Sequence, residues 1–413
     1  MRGGHVPGSL GQPAGSSYPV VNTHLHVPPN FSAFRTVEDA VETGRREGVR
    51  VMGTSNFYDL GVYPRFAAAA EGAGIVPLFG TEAITLDGSL RDDDIRANDP
   101  DNPGRVYLCG KGIGGFADPS QEAQGLMATA RAGAEARTGR MVSRLNACFS
   151  DAGFDPLLTL DSIAQVVAER AGVLPARVVL QERHLAMAFQ EALFVRFPAE
   201  SRPAFLERVL RRPASADVAD PVAVQGELRS RLMKANGLAF EPESPVSFED
   251  AYRLVLQLDG IPCYPTLADG ASPVCPWEDP PTALAERILG RGINVAELIP
   301  TRNQTEVVDA YVRAFRAAGI LVLAGTEHNT QQRFALEPRC ADGSLPSAAS
   351  REAFWEATCV VAAHQHLRSS GRPGYVDREG RLAMGFPDGE ARIRWFRELG
   401  AEIVANAALA VSG

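Results

Sequence analysis

The first third of the chain alternates short apolar runs with stretches in which apolar residues recur every three or four positions. The runs predict strands, and the stretches predict helices. The predicted elements are strands over 20–24, 50–54 and 75–80 and helices over 36–47 and 64–72. Strand, helix and strand at this spacing indicate parallel β-α units.

The same alternation returns near the C-terminus and ends in a long helix. The predicted elements are strands over 260–264, 294–299 and 320–324 and helices over 282–290, 304–318 and about 353–368. These segments extend the α/β pattern of the first third, so the fold class that we expect is α/β, with the strands forming a barrel.

The pattern changes between residues 119 and 250, where Ala, Arg, Leu and Glu dominate and apolar residues recur at helical spacing, except in the loop predicted over 211–222. We therefore expect residues 119–250 to form a helical insertion in one barrel. Residues 19–118 would be the first part of that barrel, and residues 251–413 its second part with the C-terminal helices. Residues 1–18, rich in Gly, Pro and Ser, are expected to be a flexible lead-in.

Composition narrows the class of protein. A chain of 413 residues is long enough for one large domain with an insertion, or for two domains. A net charge of −9 without a basic stripe argues against a nucleic-acid partner, and no apolar run is long enough to cross a membrane. Six scattered cysteines without a Cys-x-x-Cys pair indicate reduced thiols in a cytoplasm. We expect a small-molecule substrate. The sequence fits a homo-oligomer as well as a monomer.

A His24-Leu25-His26 motif stands at the end of the first predicted strand. Side chains two residues apart on a strand point the same way, so the two imidazoles can grip one transition-metal ion. Other predicted strands also end in polar side chains that can bind a metal or a substrate. They are Ser55, Asn56, Glu82, Tyr264, Arg302, Glu327, His328 and Asn329. Strand ends meet on one face of a parallel β-α fold, which favours a metal centre there.

The order of these motifs resembles the PHP family, the polymerase and histidinol phosphatase domain. Asn22-Thr23-His24-Leu25-His26 resembles its opening His-x-His motif, and Phe79-Gly80-Thr81-Glu82 its Gly-Val-Glu motif. The segment 105–110 is similar to the strand that carries another histidine, 157–188 to the helical insertion, and 324–329 to the closing Gly-Ser-Asp-x-His motif. The resemblance implies a distorted seven-stranded β-α barrel, like a TIM barrel, and a metal-dependent phosphoesterase.

The chain departs from the family at several ligand positions, which implies a degenerate metal site. Ser55 and Asn56 replace an Asp-His pair, and Tyr264 and Tyr107 stand where the family has histidines. Amide, hydroxyl and phenol oxygens are poor ligands for a divalent transition metal. We therefore expect one ion of zinc, manganese or iron, with two as the upper limit. The residues expected to bind it are His24, His26, Glu82 and Glu327, with His328 as an alternative to Glu327.

The other expected roles follow from position. Tyr107, Tyr264 and His328 are the candidate catalytic residues, and Arg183, His184, Arg302 and Asn56 the candidate substrate-binding residues. His184 also fits a packed helix position, and Arg302 also fits a solvent-facing one. Lys111 lies in a glycine-rich turn that lacks the Lys-Ser/Thr of a P-loop. His364 and His366 are expected on the protein surface.

The leading hypothesis is a metal-dependent hydrolase of the PHP type that acts on a small polar substrate, with a phosphoester as the implied class. One alternative is a metal-dependent lyase or isomerase of a sugar-like compound, in which a tyrosine moves protons. The other is a non-catalytic relative that binds a ligand without metal.

Overall fold

The structure, a computed structural model, describes residues 18–242 and 245–410. The expected lead-in therefore lies, except for residue 18, outside the described residues. The strands are β1 Val20–Leu25, β2 Val49–Thr54, β3 Asn56–Phe57, β4 Val76–Leu78, β5 Thr81–Leu86, β6 Arg105–Lys111, β7 Val246–Ser247, β8 Ile261–Thr266, β9 Val295–Leu298 and β10 Leu321–Ala324.

Helices separate most of the strands. They are α1 Val37–Arg46, α2 Tyr63–Gly72, α3 Gly88–Asp92, α4 Gln121–Asp151, α5 Leu160–Ala171, α6 Glu182–Arg196, α7 Arg202–Leu210, α8 Pro221–Leu228, α9 Phe248–Gln257, α10 Pro281–Leu289, α11 Thr305–Ala317, α12 Ala348–Ser369 and α13 Gly389–Ala410. Helix α1 shows how the sequence fixes an element. The Thr36 hydroxyl accepts a hydrogen bond from the Asp39 backbone N–H at 3.1 Å, and Val37, Ala40 and Val41 form its buried face.

The strands form two sheets in a mixed α/β fold. β1, β2 and β4 pair in parallel, and the second sheet runs β10-β9-β8-β6-β5-β3, with β7 beside β5. The edge strands β1 and β10 meet where a single parallel bridge joins Leu25 to Glu327. The backbone N–H groups of Thr326 and Glu327 both donate to the carbonyl of His24, at 3.2 and 2.8 Å. The ends of β1 and β10 are therefore tied together at the His24-Leu25-His26 motif.

Strand β6 is the exception to the expected parallel order. It runs antiparallel to both of its neighbours, β5 and β8. The chain between β5 and β6 contains only the five-residue helix α3, and an antiparallel neighbour needs no crossover helix on the sheet face. Parallel β-α units thus account for β1, β2, β4, β8, β9 and β10, but not for the β5-β6 pair.

The described residues between β6 and β7 form helices and loops, without a strand. Helices α4 to α8 pack around their own apolar cluster, which includes Phe149, Phe189 and Phe205. The same helices reach the sheet layer, because Ala130 of α4 is buried in a different cluster together with residues of β6 and β8. The helical segment is thus held by its own core and also contacts the strands that carry the site.

Helix α12 packs between the sheet and α13, and this corrects the expectation that His364 lies at the surface. His364 is fully buried: its Nε2 lies 2.9 Å from the Asp259 carbonyl, and its Nδ1 accepts from the Tyr375 backbone N–H. Burial lowers the pKa of His364 to about 4, so the ring is neutral. Only His366, on the opposite side of α12, is exposed. The six cysteines are all buried and unpaired.

None of the helices within residues 18–242 and 245–410 combines the length and the apolar character that crossing a membrane requires.

Candidate metal centre

Three ligand atoms converge at the end of β1. His24 and His26 are both completely buried, and their Nε2 atoms lie 3.4 Å apart. The Glu82 carboxylate, on β5, lies 3.2 Å from His26 Nε2 and 3.9 Å from His24 Nε2. All three ligand atoms fall within 4.8 Å of one another. We call His24, His26 and Glu82 the ligand triad.

A carboxylate on the Nδ1 side of the ring fixes the orientation of His24. Its Nδ1 lies 2.6 Å from a carboxylate oxygen of Glu297, a residue of β9 that is fully buried. A carboxylate can only accept, so the His24 proton is assigned to Nδ1 and its Nε2 presents a lone pair to the triad. A histidine held in this way by a carboxylate is the usual arrangement of a metal-binding imidazole.

Glu297 is itself held by a buried lysine. The Lys111 ammonium lies 2.8 Å from the Glu297 carboxylate and donates to the Thr23 carbonyl and the Ser55 hydroxyl, both at 3.0 Å. Burial alone would raise the pKa of Glu297, but Lys111 and His24 outweigh it and hold that pKa at about 2. Burial likewise works against the charge on Lys111, and Glu297 raises the pKa of the lysine above its usual value. Both groups are therefore charged.

His26 has fewer partners. Its ring stacks on Phe57 with centroids 5.2 Å apart, and its backbone N–H donates to the Glu327 carbonyl at 2.8 Å. Its Nδ1 is buried and has no hydrogen-bond partner within the described part of the chain. The triad thus brings together the Nε2 lone pair of His24, an imidazole nitrogen of His26 and the Glu82 carboxylate. These three groups need a proton or a cation between them. Two imidazoles and a carboxylate suit a transition-metal ion.

A second group, His24, Cys109 and Glu297, also has its ligand atoms close together. It is a poorer site. Burial raises the pKa of the Cys109 thiol well above its usual value, so the thiol stays protonated, and the thiolate is the form that binds a metal. The Lys111 ammonium also lies against Glu297 and already neutralises it. The residues present therefore fit one ion at the ligand triad and do not support a second beside it.

The triad borders a cavity of about 900 Å³, lined by Glu82 and by several of the residues predicted from sequence. Among those, Tyr107, Arg183, Arg302 and Glu327 line it. The Glu327 carboxylate pairs with Arg302 and accepts from the Asn329 amide. Burial opposes ionisation of Glu327, but Arg302 and the two histidines lower its pKa, so it carries a negative charge at neutral pH.

Glu327 does not join the ligand triad, although it is the expected fourth ligand. Neither group of close ligand atoms found among the described residues includes it. Glu327 and His328 both have left-handed backbone conformations, with φ of 59° and 50°, which non-glycine residues rarely adopt. Just before these two residues, Gly325 lets the chain pass close to β1, because a Cβ at position 325 would lie 2.2 Å from the Cβ of His24.

Four predicted site residues have their polar atoms engaged elsewhere and do not line the cavity. The Tyr264 hydroxyl donates to Glu278 at 2.9 Å, and the Asn56 side chain hydrogen-bonds both backbone groups of Val27. His328 lies 2.8 Å from the Thr326 hydroxyl and 3.1 Å from the Phe334 carbonyl. Each contact holds a loop in place rather than presenting a group to a substrate.

His184 is the fourth. Its Nδ1 accepts from the Gln181 backbone N–H at 3.1 Å, which caps helix α6, and its ring packs edge-on against Phe31. Burial lowers its pKa to about 3, so the ring is neutral. The structure therefore favours the packed position for His184, whereas its neighbour Arg183 faces the cavity.

Sequence reasoning missed the roles of Glu297 and Lys111. In the sequence, Glu297 falls inside the predicted strand over 294–299, and Lys111 falls in a glycine-rich turn without a P-loop. A signal was present: each is a charged residue within or at the end of a strand whose neighbours are buried. A lysine and a glutamate in such positions predict a buried ion pair, because an isolated buried charge is very costly.

Solved structures resemble this chain in fold, although no match was found by sequence. No protein-family model matches the chain, and no curated protein sequence matches it. A crystal structure of an inferred metal-dependent phosphoesterase from Bifidobacterium adolescentis superposes with a TM-score of 0.51 at 17% identity, covering 81% of this chain and 94% of the other. An amidohydrolase from Chromobacterium violaceum, solved with sulfate and no metal, gives 0.50 at 15% identity, covering 78% and 93%. At these identities the likeness shows the fold alone.

Proposed function

We propose that the protein is a metal-dependent hydrolase of the PHP type, with one zinc, manganese or iron ion held by His24, His26 and Glu82. The observation that carries the proposal is the pairing of His24 Nδ1 with Glu297 at 2.6 Å. This pairing turns the Nε2 lone pair of His24 toward the His26 ring and the Glu82 carboxylate, which borders the cavity described above. That arrangement is typical of a metal site with room for substrate.

The fold supports the same proposal. We propose that the strands make a distorted seven-stranded barrel, in which β2 continues into β3 and β4 into β5. The bridge between Leu25 and Glu327 would then close the barrel between β1 and β10. In a barrel of this kind the catalytic groups gather at one end of the strands. The solved relatives, one an inferred phosphoesterase and one an amidohydrolase, agree with hydrolysis.

A bound ion and the side chains around it would supply different parts of the chemistry. A bound divalent ion would polarise the substrate and lower the pKa of water. Glu297 keeps the proton on His24 Nδ1, so that His24 stays a ligand. Glu327 is ionised and borders the same cavity, so among the predicted site residues outside the triad it is the carboxylate available to take up a proton from water. Arg302 holds the Glu327 carboxylate in place and offers a positive charge to an anionic substrate.

An activity screen tests the proposal. Purified protein would be assayed with zinc, manganese or iron against phosphomonoesters, small amides and hydroxy-carbonyl sugars, with and without a chelator. We expect hydrolysis of one ester or amide class that the chelator stops. Glu82→Gln should lower the rate at least about 100-fold by weakening the metal site, whereas the exposed His366→Ala should leave it unchanged. Isomerisation of a sugar instead of hydrolysis, or a rate that survives chelation, would contradict the proposal.

A further inference from the structure

A buried ammonium group lies beside the ligand triad and has the contacts of a bound cation. The Lys111 side chain is 3% exposed, and three oxygen atoms surround its Nζ. The Glu297 carboxylate lies at 2.8 Å, and the Thr23 carbonyl and the Ser55 hydroxyl both lie at 3.0 Å. An ammonium has three N–H donors, so each of them has an acceptor here. The fold has therefore placed one positive charge at this position.

Side chains that can bind a metal surround the same position. His24, Cys109 and Glu297 are fully buried, and their ligand atoms lie within 4.8 Å of one another. Cys109 lies directly opposite Glu82 in the antiparallel pair of β5 and β6, and side chains paired in this way are neighbours on one face of the sheet. This second group therefore adjoins the ligand triad, and it depends on the carboxylate that Lys111 contacts.

The balance of charge decides which cation the second group can hold. A divalent ion added beside Lys111 would bring two positive charges to a buried carboxylate that the ammonium already neutralises, and unpaired buried charges are very costly. Without the ammonium, the ion would meet the Glu297 carboxylate and the Cys109 sulfur, which gives up its proton when it binds a metal. Two negative groups would then balance one divalent ion.

The sheet holds Lys111 in place on both sides. Lys111 is the last residue of β6 and pairs with Ile261 of β8. Two residues further on, the backbone N–H of Ile113 donates to the Phe79 carbonyl at 2.8 Å, which ties the chain after Lys111 to the start of β5. With its backbone fixed and its side chain buried, Lys111 keeps its ammonium among the three oxygens and does not leave them to an incoming ion.

We propose that the Lys111 ammonium occupies a second cation site beside the ligand triad and thereby limits the centre to one divalent ion. Removal of the ammonium, as in Lys111→Ala, should let a second zinc ion bind between Glu297 and Cys109. The inference rests on the proposed function, because it takes the ligand triad as the first site. It gives Lys111 a role besides stability, since this residue sets the number of ions that the centre holds.

The test counts zinc per chain after dialysis against an excess of zinc. We expect about one ion in the unaltered chain and about two in Lys111→Ala. Lys111→Met is the matched control, because methionine fills the space of the lysine without its charge, and it should stay at about one ion. The double variant Lys111→Ala/Cys109→Ser should also return to about one ion, because a hydroxyl is a poorer zinc ligand than a thiolate.

Cobalt(II) in place of zinc shows where the second ion lies. Cobalt bound by a thiolate absorbs strongly in the near ultraviolet, and the ligand triad contains no sulfur. The absorption band should appear in Lys111→Ala and be absent from the unaltered chain, from Lys111→Met and from Lys111→Ala/Cys109→Ser. Zinc should also raise the urea concentration at which Lys111→Ala unfolds by more than it does for Lys111→Met, because an additional ion binds the folded chain.

Two zinc ions in the unaltered chain, or folded Lys111→Ala without a second zinc ion and without the cobalt-thiolate band, would overturn the inference. A Lys111→Ala chain that stays unfolded in excess zinc would overturn it as well, because the ion should replace the missing positive charge. Failure of the proposed function has a different result. An unaltered chain that binds no zinc would overturn the proposed function, and a cobalt-thiolate band in Lys111→Ala would then still support the second site.

Discussion

At the scale of single residues, the ligand triad depends on two buried charged residues that are not part of it. Lys111 neutralises Glu297, and Glu297 fixes the proton on His24. The sequence shows the front of this arrangement, because His-x-His at a strand end is a recognisable motif. It does not show which carboxylate and which cation support the motif, since Glu297 and Lys111 come from strands far apart in the chain.

The first prediction concerns Lys111→Met. Removing the ammonium leaves Glu297 charged and buried without its main partner, so the free energy of unfolding should fall by about 3–5 kcal/mol. Urea unfolding at neutral pH measures this. Arg381→Met breaks an exposed ion pair with Asp377 and should change stability by no more than about 1 kcal/mol. Equal stability losses in the two variants would show that Lys111 does not neutralise Glu297.

A second residue-scale prediction concerns Glu278, the partner of Tyr264. Burial raises the pKa of Glu278 to about 7, although hydrogen bonds from Leu267, Ala268 and Tyr264 oppose the rise. A carboxylic acid whose pKa is higher in the folded than in the unfolded chain contributes least to the free energy of unfolding at high pH, where it is ionised in both states. Its contribution therefore falls as pH rises from its ordinary value of 4.5 to about 7.

The measurement is the free energy of unfolding of Glu278→Gln and of the unaltered chain between pH 4 and 8. Relative to the unaltered chain, the variant should gain about 3 kcal/mol across this range, because glutamine does not ionise. The exposed Glu71→Gln should show no such gain. A stability difference that does not vary with pH would mean that folding does not raise the pKa of Glu278.

At the scale of elements, hydrophobic periodicity located most of the strands and helices of the two β-α segments. The observed bounds of β1, β2, β8, β9 and β10 differ from the predicted ones by one or two residues. Periodicity could not show that β6 runs antiparallel to β5, because strand direction depends on the connection and on pairing partners. Nor could it show that His364 is buried, since the packing of α13 on α12 is a tertiary contact.

The junction of β10 with β1 yields the third prediction. Gly325→Ala places a Cβ 2.2 Å from the Cβ of His24, so one backbone must move. Overpacking of this kind should cost about 1–3 kcal/mol and displace His24 from the triad, which would weaken metal binding. Gly88→Ala, with open space around the new methyl group, is the control. Metal affinity and stability equal to those of the control would show that β10 does not position His24.

At the scale of the whole molecule, the sheets supply the ligand triad, and the helical segment supplies Arg137, Arg183, Arg229 and Lys234 to the wall of the cavity that the triad borders. The resemblance to the PHP family pointed to the triad through three residues. It pointed to Arg183 in the helical insertion but not to Arg137, Arg229 and Lys234, because these four residues become neighbours only when α4, α6 and the chain after α8 pack together.

The central claim is that the ligand triad binds a divalent metal ion. Elemental analysis of the purified protein after dialysis, with zinc, manganese and iron counted per chain, tests it most directly. The account predicts about one ion per chain in the unaltered protein and in the exposed control His366→Ala, and almost none in folded His24→Ala/His26→Ala. The same metal content in the folded double variant as in the unaltered protein would contradict it.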